Sequence, residues 1–250
     1  MGNPTFNAGK DYFKLGEKTS NALKVKSSNE NRTKSSTSGP NIYGDAARVD
    51  SYGETAAPSA EYAVVAALNS ETMPELGAVQ TVEGIAAPIV LGSVSISTST
   101  GSAPTLSASG QMVQAGAKQL RKYKLPNFSL SPRHRAQDMM GLCAIKKGAN
   151  LADEADDYGL ESVNANFPIE FTLAQPKGEL VNYDLHGGMA TCAYTMNWYA
   201  SVEPTIELTD AAHDLGADMS VPVGKSNPEG GYTQYTWTVS FPLIGEEVSA

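Results

Sequence analysis

Residues 232–243, YTQYTWTVSFPL, decide the fold class. Read with a period of two, they set Tyr235, Trp237, Val239 and Phe241 on one side, and Thr236, Thr238 and Ser240 on the other. Successive side chains of a strand point to opposite faces, so this is a half-buried β-strand with an aromatic face inward and a hydroxyl face outward. Residues 189–202 repeat the pattern, with Cys192, Tyr194, Met196 and Trp198 against Ala193, Thr195, Asn197 and Tyr199. Residues 167–174 repeat it again, with Phe167, Ile169, Phe171 and Leu173 against Pro168, Glu170 and Thr172. Gly187-Gly188 and Gly230-Gly231 are turn signals around these runs. Long strands of this kind describe an antiparallel sheet packed on a single side. The predicted core is Phe171, Tyr194, Met196, Trp198, Tyr235, Trp237, Val239 and Phe241.

Working upstream, residues 61–68 (EYAVVAAL), 89–98 (IVLGSVSIST) and 105–113 (TLSASGQMV) also read as strands. Residues 123–130 (YKLPNFSL) read as an edge strand, since Pro126 lacks an N–H for a central ladder. One helix is predicted from Pro132 to Leu142, with Ser131 as its cap and Gly141 near its end. The strand–turn–Pro104-Thr105-Leu106 sequence is echoed by Pro204-Thr205-Ile206 after NWYASV, which either records a duplicated hairpin or is coincidence. Residues 27–40 (SSNENRTKSSTSGP) hold no apolar residue and cannot offset their ordering entropy by burial. Residues 1–60 are therefore expected to be an N-terminal arm, either disordered or laid on a neighbouring subunit through Tyr12, Phe13 and Leu15. Residues 61–250 are expected to be the β-sandwich or barrel domain with one flanking helix.

A chain of 250 residues fits one large β domain or a core with an arm, and 23 Gly with 14 Pro fit many turns. The net charge of −9 argues against general nucleic-acid binding. Cys143 and Cys192 sit in apolar strand-like surroundings and are expected to be buried free thiols. The start MGNPTF lacks the layout of a secretory signal and fits myristoylation poorly, so a soluble protein made in a cytoplasm, with no membrane anchor, is expected.

The charge is sorted along the chain. Lys118, Arg121, Lys122, Lys124, Arg133, Arg135, Lys146 and Lys147 stand together, with Asp138 as the one acid among them. From Gly148 onward there are 16 acids and two bases, Lys177 and Lys225. Mixed surface charge is the ordinary pattern for a solitary domain. A basic block followed by an acidic one gives copies a way to meet head to tail, and a heterologous contact of that kind builds rings or open stacks. The expected inter-subunit contacts join the basic block to Asp153, Glu154, Asp156 and Asp157, or to the acids of residues 210–218.

Enzymatic chemistry finds no foothold. His134, His186 and His213 are scattered, with no zinc-ligand spacing to a cysteine. Nucleophile-elbow and phosphate-loop patterns are absent, and Ala155 breaks the alternation a calcium loop needs in residues 153–161. No catalytic residue, metal or cofactor is expected, and the acidic run is expected to be a solvated loop. Tyr123 and Phe128 beside the bases suit single-strand stacking, but the acidic balance makes a subunit contact more economical.

The loose N-terminal segment, SVSISTSTGSAPTLSASG, SPRHRAQDMMGL and GYTQYTWTVSFPL together resemble, in style, the tail tube proteins of tailed bacteriophages. The resemblance covers roughly residues 60–245 and includes no diagnostic motif. It implies a β-sandwich with a flanking helix, assembled as a ring (commonly a hexamer) whose copies stack through loops and arms. It further implies an acidic lumen through which DNA passes without sticking, other tail or head–tail proteins as partners, and a place in the virion. Capsid decoration or a head–tail connector are alternatives. A carbohydrate-binding β-sandwich, stacking sugars on Trp198, Tyr199 or Trp237, is another.

Overall fold

The structure is a computed structural model and describes residues 22–38, 49–69, 76–77, 79–80, 89–113, 118–119, 121–123, 125–126, 129–130, 141–153, 157–174 and 182–248. Its main element is a ten-stranded antiparallel sheet. The strands are β1 (Leu23–Ser38), β2 (Val49–Val64), β4 (Val79–Gln80), β5 (Ile89–Ser99), β6 (Thr105–Met112), β12 (Tyr158–Phe167), β15 (Met189–Trp198), β17 (Asp218–Met219), β18 (Val223–Asn227) and β19 (Tyr232–Pro242). Across the sheet they run β1-β2-β6-β5-β12-β15-β19-β17, with β18 also on β19 and β4 on β5. The protein is mainly β, as the alternation predicts.

The pairing of β15 with β19 sets Tyr194 opposite Trp237, Cys192 opposite Val239 and Met196 opposite Tyr235. On the next strand Tyr158, Leu160, Val163, Ala165 and Phe167 are all buried on the same side. Leu160 and Val163 are three residues apart, an odd spacing that would put them on opposite faces. A β-bulge between Leu160 and Ser162 absorbs the extra residue and keeps both inward. A second bulge between Leu91 and Val94 does the same for β5.

Smaller sheets cover the apolar face. One is β11 (Asn150–Leu151), β10 (Cys143–Lys147) and β16 (Thr205–Leu208); another is β13 (Ile169–Ala174), β14 (Asn182–Gly187) and β7 (Lys118–Gln119). Two-stranded pairs join β8 (Arg121–Lys122) to β20 (Glu246–Glu247) and β3 (Leu68–Asn69) to β9 (Ser129–Leu130). The first of these layers is tied to the main sheet where Trp237 Nε1–H donates to Cys143 Sγ at 3.3 Å. The result is sandwich-like, with the core between the large sheet and these pieces.

Several expectations change in detail. Pro168 divides residues 167–174: Phe167 ends β12, and β13 begins at Ile169 in a different sheet. A proline cannot donate to a central ladder, and its carbonyl instead accepts from Gly188 N at 3.0 Å. Residues 123–130 are not one strand, since Tyr123 forms an isolated bridge with Leu76 and β9 starts at Ser129. The echoed segments part ways. Thr105-Leu106 turns back beside β5, whereas Thr205-Ile206 leaves for β10, so the two are not copies of one hairpin. Residues 23–38 and 49–60 of the expected arm are strand, and the boundary at residue 60 falls inside β2. Their polar backbone finds partners in each other's ladder, which needs no apolar burial. Residues 59–63 of β2 pair with β6, so the remainder of the hairpin runs on as a two-stranded ribbon. Residues 131–140 of the predicted helix, like Tyr12, Phe13 and Leu15, lie outside the described residues. A short helix, α1 (Asp210–Asp214), is capped by Thr209, whose Oγ1 accepts from Ala212 N.

Candidate functional site

The face of the large sheet that turns away from the core is built from hydroxyls and amides. Ser95 stands opposite Ser107 on one side and Asn166 on the other, and Asn166 in turn stands opposite Thr191. Thr191 faces Ser240, Ala193 faces Thr238 and Thr195 faces Thr236. Ser97 Oγ donates to Asn164 Oδ1 at 2.6 Å across one seam. Charge on this face is sparse: Lys26 bonds Glu61, Glu161 Oε2 accepts from Gln234 Nε2 at 2.8 Å, and Lys225 stands opposite Gln234 at the β18 margin. Near β2, β5 and β6 the face dips into a depression of about 350 Å³ lined by Ser59, Glu61, Ser95, Ser107, Ser109 and Asn166 among others. Among the described residues the margins of this sheet are β1 on one side and β17 with β18 on the other, and no further strand pairs with either.

The basic block does not form one surface among the described residues. Lys146 and Lys147 extend β10 toward the end of the large sheet where Tyr158 and Trp198 sit. There Lys146 bonds Glu207, and Lys147 Nζ lies 2.6 Å from Asp157 Oδ1. Arg121 and Lys122 lie at the opposite end, where β8 pairs Lys122 with Glu246 and Arg121 with Glu247. The adjoining Tyr123 hydroxyl accepts from Gly187 N at 2.9 Å, which fixes that end by the β14–β15 turn. Lys118 is in β7 beside Asn182. Lys124, Arg133, Arg135, Glu154 and Asp156 lie outside the described residues.

The acidic run is not uniformly solvated. Asp157 is buried, and its carboxylate also accepts from Asp153 N at 3.2 Å. The hydrogen bond from Lys147 holds the Asp157 carboxyl below the usual carboxylate range; burial opposes this, and the Asp153 N–H adds to it. Asp157 therefore ties the acidic loop to the basic block within one subunit, and its backbone carbonyl receives Tyr199 N at 2.8 Å.

Trp198 and Trp237 are 2% and 3% exposed, so neither offers a stacking platform. Trp237 stacks on Tyr194 with ring centroids 5.1 Å apart, and Trp198 Nε1–H donates to Val202 O at 2.7 Å. Tyr199, 50% exposed, points to the polar face and meets Tyr232 edge to face at 5.8 Å. Both thiols are buried and free. Burial pushes Cys143 up to about 11, partly offset by the Trp237 hydrogen bond. Burial, then the neighbouring Cys143, push Cys192 up to about 12. Such thiols are poor nucleophiles at neutral pH. Among the described residues no group of three or more His, Cys, Asp or Glu is placed to hold a metal ion, and no helix is long and apolar enough to cross a membrane.

Neither a scan of protein-family models nor a search of curated proteins finds a match for this chain.

Proposed function

We propose that this chain is a structural subunit that assembles with copies of itself into stacked rings, as the tube of a phage tail does, and forms a passive conduit for DNA in a virion. The observation that carries this reading is the broad sheet with one face sealed by a core and the other left as an open field of Ser, Thr and Asn. A wall made mostly of neutral hydroxyls is wet and offers phosphate few cationic anchors, Lys26 being already bonded to Glu61 and Lys225 standing at the β18 margin. Ten strands are more than a single small core requires, and the two open margins would let neighbouring sheets continue one another around a ring, commonly six-membered in tail tubes. Stacking would then run along the strand direction. The end bearing Arg121 and Lys122 would meet the end bearing Asp153 and Glu161 in the next copy, with the ribbon of β1 and β2 reaching across. Tail or head–tail proteins would close the stack.

Negative-stain electron microscopy of the purified full chain tests this. Rings or hollow tubes are expected, and they should shorten as salt rises, because exposed charge pairs are screened within about 8 Å at physiological ionic strength. A protein that stays monomeric at high concentration and low salt would refute the reading.

A further inference from the structure

We propose that the Tyr199 end of the polar face is a binding site for a neutral pyranose residue of a glycan. The site is assembled from four strands. Asn197 lies opposite Gln234 in the β15–β19 ladder, Lys225 lies opposite Gln234 from β18, and Glu161 reaches in from the bulge of β12. Gln234 Nε2 donates to Glu161 Oε2 at 2.8 Å and to Asn197 Oδ1 at 3.3 Å, so two planar amides and a carboxylate hold one another in fixed orientations. Beside this polar floor stands an aromatic wall. Tyr232 is pinned by a hydrogen bond from Asn227 Nδ2 to its hydroxyl at 2.9 Å, and it packs so closely on Gly230 that a Cβ there would come within 2.3 Å of its ring. Tyr199 leans on that fixed ring and leaves half of its own surface open. Tyr232 and Gln234 also line, with Lys225, Ser226, Asn227, Pro228 and Glu229, a depression of about 390 Å³ that Tyr199 adjoins through Tyr232 without lining it, within the usual range for small-ligand pockets.

These parts match the surface of a sugar ring. A pyranose offers one patch of C–H bonds, which an exposed tyrosine covers at little entropic cost, and a rim of hydroxyls that both donate and accept. Amide and carboxylate groups answer those hydroxyls in pairs, and their mutual bonds mean little is lost in ordering them. A nucleic-acid strand suits the site less well. Its phosphates would meet Glu161 and Glu229 with Lys225 as the near cation, and affinity for a strand rests on cationic neutralisation. The site is complete within one chain, so it does not depend on ring assembly, and the two readings fail separately.

The test is saturation-transfer NMR on the full chain with methyl glycosides of glucose, galactose, mannose and N-acetylglucosamine, each at about 10 mM, where a ligand of this size is expected to bind with a Kd on the order of millimolar. Transfer from the protein to ring C–H protons of at least one sugar is expected. It should fall at least about tenfold in Tyr199→Ala and in Gln234→Ala, and survive in Tyr199→Phe, which keeps the stacking ring. Tyr199 is exposed, so its variants should melt with the wild type, and a matched melting curve separates lost binding from lost fold. Deoxyadenosine monophosphate is the counter-probe. Absence of transfer to every sugar, transfer unchanged in both alanine variants, or transfer to the nucleotide alone would each overturn the proposal.

Discussion

Trp237→Ala should be the most damaging single truncation in the core, and its size follows from what the ring touches. Trp237 is 3% exposed, lies flat on Tyr194 at 5.1 Å with the planes 10° apart, and donates its N–H to Cys143 Sγ in the covering sheet. Removing it empties the seam between the two layers at a point where β10 and β19 meet, and neighbouring rings have little room to collapse inward. Large aromatic truncations in cores cost roughly 3–5 kcal/mol. For a chain of this size each kcal/mol lowers Tm by roughly 2–4 °C, so the expected loss is about 6–20 °C. Trp237→Phe keeps the stacked ring and most of the apolar area while giving up a bond to a weak sulfur acceptor, so it should cost about 1–2 kcal/mol. Thr238→Val, one residue away on the polar face, should change stability by under about 0.5 kcal/mol. Thermal unfolding followed by near-ultraviolet circular dichroism separates the three. If Trp237→Ala melted within about 2 °C of wild type, or Thr238→Val were the worse of the two alanine- and valine-bearing variants, the assignment of faces in β19 would be wrong.

The thiols supply a second check: with Cys143 and Cys192 near 11 and 12, a thiolate-selective reagent at pH 8 should label neither until denaturant is added. Rapid labelling of the folded protein would contradict their burial. Gly187→Ala should destabilise by roughly 2 kcal/mol or more, because its Cβ would come within 2.3 Å of the Leu243 carbonyl oxygen, which cannot retreat without breaking the Leu243–Gly188 hydrogen bond; a melting curve equal to wild type would refute that close approach. The Asp157 carboxyl is held below its ordinary 3.8, so the stability it supplies is fully present above that pH and is lost as pH falls through the lower folded value. Asp157→Asn should flatten the acid limb of the stability–pH profile, whereas an unchanged limb would mean that the Lys147 pair is not formed in solution.

The strands were legible because the alternation in residues 189–198 and 232–241 is long, and because a one-residue slip would turn every aromatic outward. Proline placed the one serious break: the period-two pattern runs straight through Pro168, but the missing N–H moves the following residues into another sheet. The bulges at Leu160 and Leu91 escape a periodic reading, since an inserted residue looks locally like a loss of pattern. Helix α1 left a faint trace in Thr209-Asp210, a cap and an acid in the first turn, too short to rise above a loop. The pairing of residues 27–38 is invisible to composition for a physical reason. Composition reports whether a segment can bury surface, and β1 is held by backbone pairing, to which composition is blind. For the aromatic site, Tyr199 was visible as an exposed candidate, but its partners Tyr232, Gln234 and Glu161 are far apart in sequence and meet through the strand order.

Charge illustrates the same limit and bears on assembly. Lys118 to Lys147 is a single block along the chain, yet β8 and β10 deliver its described members to opposite ends of the sheet, each against acids of its own subunit. The exposed pairs among them, Lys146–Glu207 and Lys122–Glu246, contribute about 0–1 kcal/mol apiece, so they are weak enough to exchange partners when another copy docks. The margins carry lysines as well, Lys24 and Lys26 on β1 and Lys225 on β18. Lysine on an open edge discourages indiscriminate strand pairing. Lys26 already has its counter-ion in Glu61, whereas the Lys225 edge exposes Val221 and Val223 beside it, at 83% and 64%. An edge that is apolar at one end and cationic at the other favours a partner strand in one register over its slipped alternatives. The specificity of a ring would therefore reside in the β18 margin, with the charged ends of the sheet setting how rings stack.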